Sequence, residues 1–375
     1  MQHQPGDLIM STLFQASTQW ATRPADQRFT SLTALNRFAQ GVRARSNGRV
    51  VSSRKLQAVP GKGDYRALQV CGPNGVPVDV THWSFGQLAN RAGAPAGYLR
   101  TLPGALAADN INYGLQVIRD VEDIGVLLSA DDNGGQAVLR AVTGPNYGRI
   151  WNHQVTQALV DRFGDGITGD FRVPGEFGRA VEVTNANTTL YASDRDMFVF
   201  LADEEHRIEL PGRRNGETGT LARGFFVSNS EVGSGTLSVS TFLFDYVCCN
   251  RIVWGAQQYK QINIRHTASA PDKWVEQVAP ALEQYALSST TSITEALQLA
   301  QRSKVDRIEE FLAQRFTRPQ VEGIKRAHLA DEGRPMETLW DVATGITAFA
   351  RDITWQDDRV AIEREAGKVL DLVAA

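Results

Sequence analysis

Residues 223–255, RGFFVSNSEVGSGTLSVSTFLFDYVCCNRIVWG, are a dense mix of apolar, β-branched and small side chains. Alternate residues from 225 onward share one strand face, which groups Phe225, Val227, Asn229 and Glu231. Gly233-Ser234-Gly235 turns the chain, because glycine reaches positive φ without a steric penalty, and residues 236–240 return as a second strand. Residues 241–249 are apolar nearly all round, so period alone does not separate helix from buried strand. A short buried helix closed by Asn250 in a left-handed cap is expected there. Asn229, Ser230 and Glu231 inside so apolar a hairpin need hydrogen-bond partners, since an unmatched buried polar group costs on the order of a few kcal/mol. The Asn229–Gly233 turn is therefore predicted to be buried, with Glu231 hydrogen-bonded or ion-paired. Two roles are open for Glu231: pairing with an arginine such as Arg223 beneath the sheet, or orienting a ligand together with Asn229.

Working outward, the fold class is α+β: a central antiparallel sheet with flanking helices and a helical C-terminal region. Leu32, Leu35, Phe38, Ala39 and Val42 recur at helical spacing within 26–46, and Asn47-Gly48 stops that helix. Residues 49–59 and 65–71 suggest a hairpin around Pro60-Gly61-Lys62-Gly63, with a further turn at 72–75. Residues 84–102 have helix-turn-helix spacing, with Ala89 in the first helix, Gly93 in the turn and Leu99 in the second. That second helix is short and offers mainly Arg100, so a packed pair is expected rather than a reader of the major groove. Residues 121–128 and 137–142 pair as strands, 152–163 form a helix, and 211–216 form an exposed loop. Beyond Pro271 helices are predicted at 272–286, 292–316, 320–330, 336–349 and 358–373, with a capping box at Ser292-x-x-Glu295 and Pro335 at a helix start. The expected organisation is a flexible tail over 1–25, an α+β core over 26–270 and a helical region over 271–375.

Composition bounds the function. The chain has 375 residues, 42% hydrophobic and 22% charged, with a net charge of −3, so any attraction to phosphate must come from local patches. Cys71, Cys248 and Cys249 do not make a disulfide framework. No apolar stretch is long enough to span a bilayer, and a cytoplasmic protein without membrane contact is expected. Phosphate-binding loops, H-E-x-x-H and paired C-x-x-C are all missing from the sequence, so neither cofactor nor metal is predicted, and no catalytic residue is nominated.

The N-S-E-V-G turn, the apolar run and the following Cys-Asn resemble the phage- and plasmid-like family built on domain of unknown function 932. Residues 139–160, LRAVTGPNYGRIWNHQVTQALV, and 336–349, METLWDVATGITAF, fit the same family, and the resemblance spans about 80–370. This chain carries Arg251 where that family has glycine after the Cys-x-Asn element. The resemblance implies an origin in a phage or plasmid within a bacterial host, and it supplies no reaction.

Charge patterning supplies the functional reading. Residues 27–63 contain no acid, yet hold Arg43, Arg45, Arg49, Arg54, Lys55 and Lys62. Residues 251–270 are again acid-free, and interleave Trp254 and Tyr259 with Lys260 and Arg265. Cations with aromatic rings suit a single strand, whose phosphates pair with charge and whose bases stack. The leading expectation is a nucleic-acid-binding protein, single-stranded DNA favoured, acting without catalysis in recombination or replication and possible as a homo-oligomer. The alternatives are a metal-dependent enzyme using Asp194, Asp196 and Glu231 on nucleotides or nucleic acid, or an oligomeric scaffold or host-interaction protein.

Overall fold

The quoted stretch forms the middle of a large antiparallel sheet. In the computed structural model, residues 24–130, 137–174, 182–186, 188–213, 216–245, 250–252, 262–353 and 356–374 are described. The sheet runs in the order β1 (Arg28–Phe29), β9 (Leu190–Ala192), β10 (Met197–Asp203), β12 (Gly219–Asn229), β13 (Leu237–Asp245) and β14 (Asn250–Ile252). Short strands extend it: β8 (Phe171–Arg172) on β10, β11 (Ile208–Leu210) on β12, and β15 (Ile262–Ile264) on β13. A second, mixed sheet has the order β2 (Ser46–Ser52), β6 (Asp123–Ser129), β7 (Val138–Thr143), β5 (Pro77–Val80), β4 (Leu68–Cys71) and β3 (Gln57–Pro60), with β5 and β7 parallel. The fold is thus α+β, as the residue pattern indicates.

The helices follow from caps and apolar stripes. In α1 (Leu32–Arg45), the Ser31 hydroxyl accepts the Ala34 N–H, and Leu32, Leu35 and Ala39 face inward. The other helices that precede the long strands are α2 (His82–Ala92), α3 (Ala96–Leu99), α4 (Gly104–Tyr113) and α5 (Asn152–Phe163). Gly93 at φ +74° ends α2, and the α2–α3 pair packs Leu88, Ala89 and Leu99 into the core of the mixed sheet, as expected. The C-terminal elements are α6 (Ala270–Lys273, continuing through Ala279–Leu287), α7 (Thr291–Arg302), α8 (Ile308–Ala313), α9 (Arg318–Glu332), α10 (Leu339–Arg351) and α11 (Gln356–Ala374).

One face of β12 serves two cores in succession. Phe225 and Val227 pack with α1, α5 and α6, through Leu35, Leu159, Trp274 and Leu282. Leu221, on the same face but nearer the strand's start, joins the C-terminal helices through Leu297, Ile324, Trp340 and Ile346. Arg223 lies between these cores, ion-paired to Asp203 at 3.0 Å, and donates to the carbonyls of Tyr285 and Ala286 at the end of α6. It is therefore not the partner of Glu231.

Other expectations need correction. Residues 241–245 belong to β13, not to a helix: both faces of that strand are buried, so its residues lack the polar alternation that marks a strand. Residues 246–249, including Cys248 and Cys249, lie outside the described residues. Of residues 49–59, only those in β3 pair with β4; residues 46–52 form β2, which pairs with β6 instead. The helix expected over 292–316 breaks at Ser303, because Lys304 bridges to Thr338 and Val305 donates to the Glu337 carbonyl. Ser292 sits inside α7 behind Thr290, which makes no side-chain cap. Pro335 precedes the true start of α10, where the Thr338 hydroxyl accepts the Asp341 N–H.

A pH dependence follows from His328, 1% exposed between α9 and α10 with Nδ1 at 3.4 Å from the Thr344 hydroxyl. Burial lowers its pKa below the usual 6.5, against a smaller opposing pull from Asp341 and Glu332. The unfolded chain therefore binds a proton near pH 6.5 that the folded chain refuses, and stability falls as pH drops below that value. Thermal unfolding between pH 7.5 and 5.5 should show this loss, and His328→Asn should reduce it. An unchanged pH profile in His328→Asn would count against a buried neutral imidazole.

Candidate nucleic-acid interface

The turn after β12 is held from both sheets at once. Glu231 is 1% exposed, and both its carboxylate oxygens are taken. One accepts from Arg140 Nη2 at 3.0 Å, on β7; the other accepts the backbone N–H of Asn152 at 2.9 Å, the first residue of α5. Helix α5 begins after Trp151, whose side chain offers no acceptor, so Glu231 supplies the missing N-terminal cap from a distant strand and meets the positive end of the helix. The same Arg140 donates to the Ser46 hydroxyl at 3.0 Å and to the Asp194 carbonyl at 3.2 Å.

The neighbours of Glu231 are tied as well, although the buried Oδ1 of Asn229 accepts no hydrogen bond among the described residues. Asn229 donates to the Ile150 carbonyl at 2.9 Å and to Asn152 Oδ1 at 2.8 Å. Ser230 donates to the Arg195 carbonyl at 2.7 Å and accepts the Ser234 N–H at 3.0 Å. Trp83 Nε1 and Gln87 Nε2 donate to the Val232 carbonyl at 3.0 and 2.8 Å, Tyr147 donates to the Ser230 carbonyl at 3.0 Å, and Arg149 donates to the Glu231 carbonyl. Gly233 has φ +82°, a backbone conformation that strains any residue with a side chain. Asn229 to Val232 are buried and Glu231 is ion-paired as expected, the arginine being Arg140, whereas Gly233 at the tip of the turn is exposed.

Rings and guanidinium groups alternate beside this turn. Arg43 lies 4.3 Å over Trp151, Arg149 lies 5.5 Å from the same ring and 5.1 Å from Tyr147, and Tyr147 stacks on His266 at 4.9 Å. Burial raises the Tyr147 hydroxyl pKa well above its ordinary value, keeping it a donor. It lowers the pKa of His266 and of His153, and lowers that of His82 together with Arg100 and Arg195. The histidines are thus neutral at pH 7, and the positive charge here is that of arginine.

Next to the turn lies a cleft of about 1040 Å³. Its floor is the outer face of α2, with His82, Trp83, Gln87, Asn90 and Arg91, and its walls carry Arg100, Arg119, Tyr147, Arg195 and Gly233. Two carboxylates also line it, Asp120 and Glu122, of which Glu122 pairs with Arg91 at 2.8 Å.

The predicted cations do not all meet. Arg43 and Arg45 end α1, Arg49 lies on the edge strand β2, and Arg54 and Lys55 lie in the helical turn that follows it. Lys62 lies in the β3–β4 turn, on the opposite edge strand of that sheet. Arg265 follows β15 and is exposed, next to the His266 that stacks on Tyr147. Trp254, Tyr259 and Lys260 lie outside the described residues. Arg54 Nη2 donates to the Arg119 carbonyl at 3.1 Å, which joins the β2 edge to the cleft.

Asp194, Asp196 and Glu231 do not form the acidic set of the enzyme alternative. Asp196 accepts from the Ser193 hydroxyl at 2.8 Å and Glu231 is fully bonded. Among the described residues no three His, Cys, Asp or Glu side chains are placed to hold a metal ion. Nor is the 211–216 loop simply exposed: Arg213 is 2% exposed and pairs with Asp245 at 2.9 Å and Glu332 at 2.6 Å. Sequence reasoning missed Trp83, Asn90, Arg119, Tyr147 and Arg195. The one available signal was residues 82, 83, 86, 87, 90 and 91, which recur at helical spacing opposite the buried stripe of α2.

A two-sheet α+β protein with an arginine-lined cleft at the junction of its sheets is the class these features define. The chain belongs to the family of the domain of unknown function DUF932, whose profile matches residues 179–368. The matched part includes Arg195 and the Glu231 turn; α2, Arg119 and the 139–160 stretch precede it. No curated protein and no solved structure matches the chain.

Proposed function

We infer that this protein binds nucleic acid without catalysing a reaction, preferring single strands, and that the strand runs along the β2 edge into the cleft. The observation that carries this is the state of the cations. Arg43, Arg49, Arg54 and Lys55 are exposed, and none shares an ion pair with a described carboxylate. Several cations elsewhere are ion-paired, among them Arg213, Arg223, Arg334 and Arg351. In a chain of net charge −3, cations without ion pairs on and at both ends of one edge strand make a place where phosphate is attracted rather than repelled. Half-buried rings beside it, Trp83, Tyr147 and Trp151, favour unpaired bases, which present a stacking face. Among the described residues no helix is long and apolar enough to cross a membrane, which is compatible with a cytoplasmic role. The family resemblance supports an origin in a mobile element.

The test is a gel shift with single- and double-stranded DNA and RNA across a salt series. Single strands should be retarded at low salt, duplexes less so, with affinity falling steeply as salt rises. Failure to retard any nucleic acid even at low salt would overturn this reading.

A further inference from the structure

We propose that the cleft between the two sheets is a pocket for one nucleotide of the bound strand, its phosphate on Arg119 and Arg100, its base against Trp83 and Tyr147, and its base edge read by Asn90. This rests on the nucleic-acid reading above and deepens it. Size is the first ground: about 1040 Å³ is far more than a phosphate needs, and it reaches the upper range of small-ligand sites. Phosphate-binding groups are at hand. The Arg119 guanidinium lies over Gly93 and has no hydrogen-bond or ion-pair partner among the described residues. Arg100 donates to the His82 carbonyl at 2.9 Å and stacks 4.9 Å from the Phe85 ring, so it is held in place with no carboxylate on it.

The rings are fixed before any ligand arrives. Trp83 is pinned through its indole N–H to the Val232 carbonyl and covered on one side by Arg195 at 4.5 Å. Tyr147 is pinned through its hydroxyl and backed by His266. Such rings lose little freedom when a base packs on them, which favours binding. Gln87 is held in place, because its side chain accepts the Val142 N–H while donating to the Val232 carbonyl. The exposed Asn90 amide has both a donor and an acceptor available, as hydrogen bonding to a base edge requires. A site for a bare anion would need neither the rings nor the amide.

The experiment titrates the full-length protein with the four deoxynucleoside 5′-monophosphates, with inorganic phosphate and with pyrophosphate, read by calorimetry, and repeats each as a competitor of a labelled single strand. At least one monophosphate should bind and displace the strand, more tightly than pyrophosphate. Arg119→Ala should weaken it by about tenfold or more, the loss of a charge-assisted hydrogen bond. Asn90→Ala should change the ranking of the four bases. Both positions are exposed, and matching thermal unfolding confirms that the variants fold. Pyrophosphate binding as tightly as any nucleotide would overturn the proposal, leaving an anion site. So would a strand that binds the wild type and both variants equally while no monophosphate binds; the nucleic-acid reading would then stand without the pocket. A monophosphate that binds where no strand does would keep the pocket and overturn that wider reading.

Discussion

Glu231→Ala should destabilise the protein by about 3–5 kcal/mol, the usual cost of leaving one member of a buried ion pair without its partner. Arg140 would keep its charge in a site where its side chain is 7% exposed, and Asn152 would lose the acceptor for its N–H at the start of α5. The damage should extend beyond one contact, since the turn also receives Trp83, Gln87, Tyr147 and Arg149. Glu231→Gln keeps an acceptor for the helix but not the charge, so it should fall between alanine and wild type. The decisive control is a double-mutant cycle: Glu231→Met with Arg140→Met should lose less than the two single changes summed, because the double variant strands no charge. Chemical unfolding monitored by tryptophan fluorescence measures all of these. If Glu231→Ala unfolded like wild type while nucleic-acid binding vanished, the carboxylate would be a ligand group and not a brace.

A loss of similar size is expected for Arg213→Ala, from a different region. Arg213 bridges the loop before β12 to Asp245 at the end of β13 and to Glu332 at the end of α9, and lies 5.3 Å over Trp340. Its two partners have side chains 0% and 2% exposed, so removing the arginine takes a cation away from two carboxylates in a closed site. The cost should be about 3–5 kcal/mol, and it should fall first on the packing of the C-terminal helices against β11–β13. Hydrogen exchange should show faster exchange in α9 and α10 than in β10. Arg213→Lys should recover only part of the loss, because one ammonium does not reproduce the planar fork. Equal exchange in wild type and Arg213→Ala would show that the triad contributes nothing to docking.

What the sequence made legible, and what it did not, divides along physical lines. The burial of Asn229–Val232 was readable because three polar residues interrupt an apolar strand, and such residues must be satisfied; Gly233, expected to be buried with them, is exposed. Which groups satisfy them was not readable: Arg140 and Asn152 are brought to Glu231 by the packing of β7 and α5, and no local pattern encodes that. The β13 segment defeated periodicity because both its faces are covered. The break at Ser303 likewise depends on a distant strand-like bridge, to Thr338, that overrides good helix formers on either side. Arg213 looked exposed because Pro, Gly and Arg in sequence usually mean a surface turn; its acids, Asp245 and Glu332, come from far along the chain. The cleft was hidden for the same reason, since α2, Arg119, Arg195 and Gly233 converge only in three dimensions.

The most direct measurement is the salt dependence of single-strand affinity in wild type and in a variant with Arg43, Arg49, Arg54 and Lys55 all changed to alanine. These side chains are exposed and carry no ion pair, so the variant should fold normally. Each phosphate neutralised contributes about 0.7 to the slope of log affinity against log salt for a single strand. The slope should therefore flatten by up to about 2.8, with weaker binding at low salt and little difference at high salt. A variant that binds with the wild-type slope and affinity would contradict a strand lying along the β2 edge.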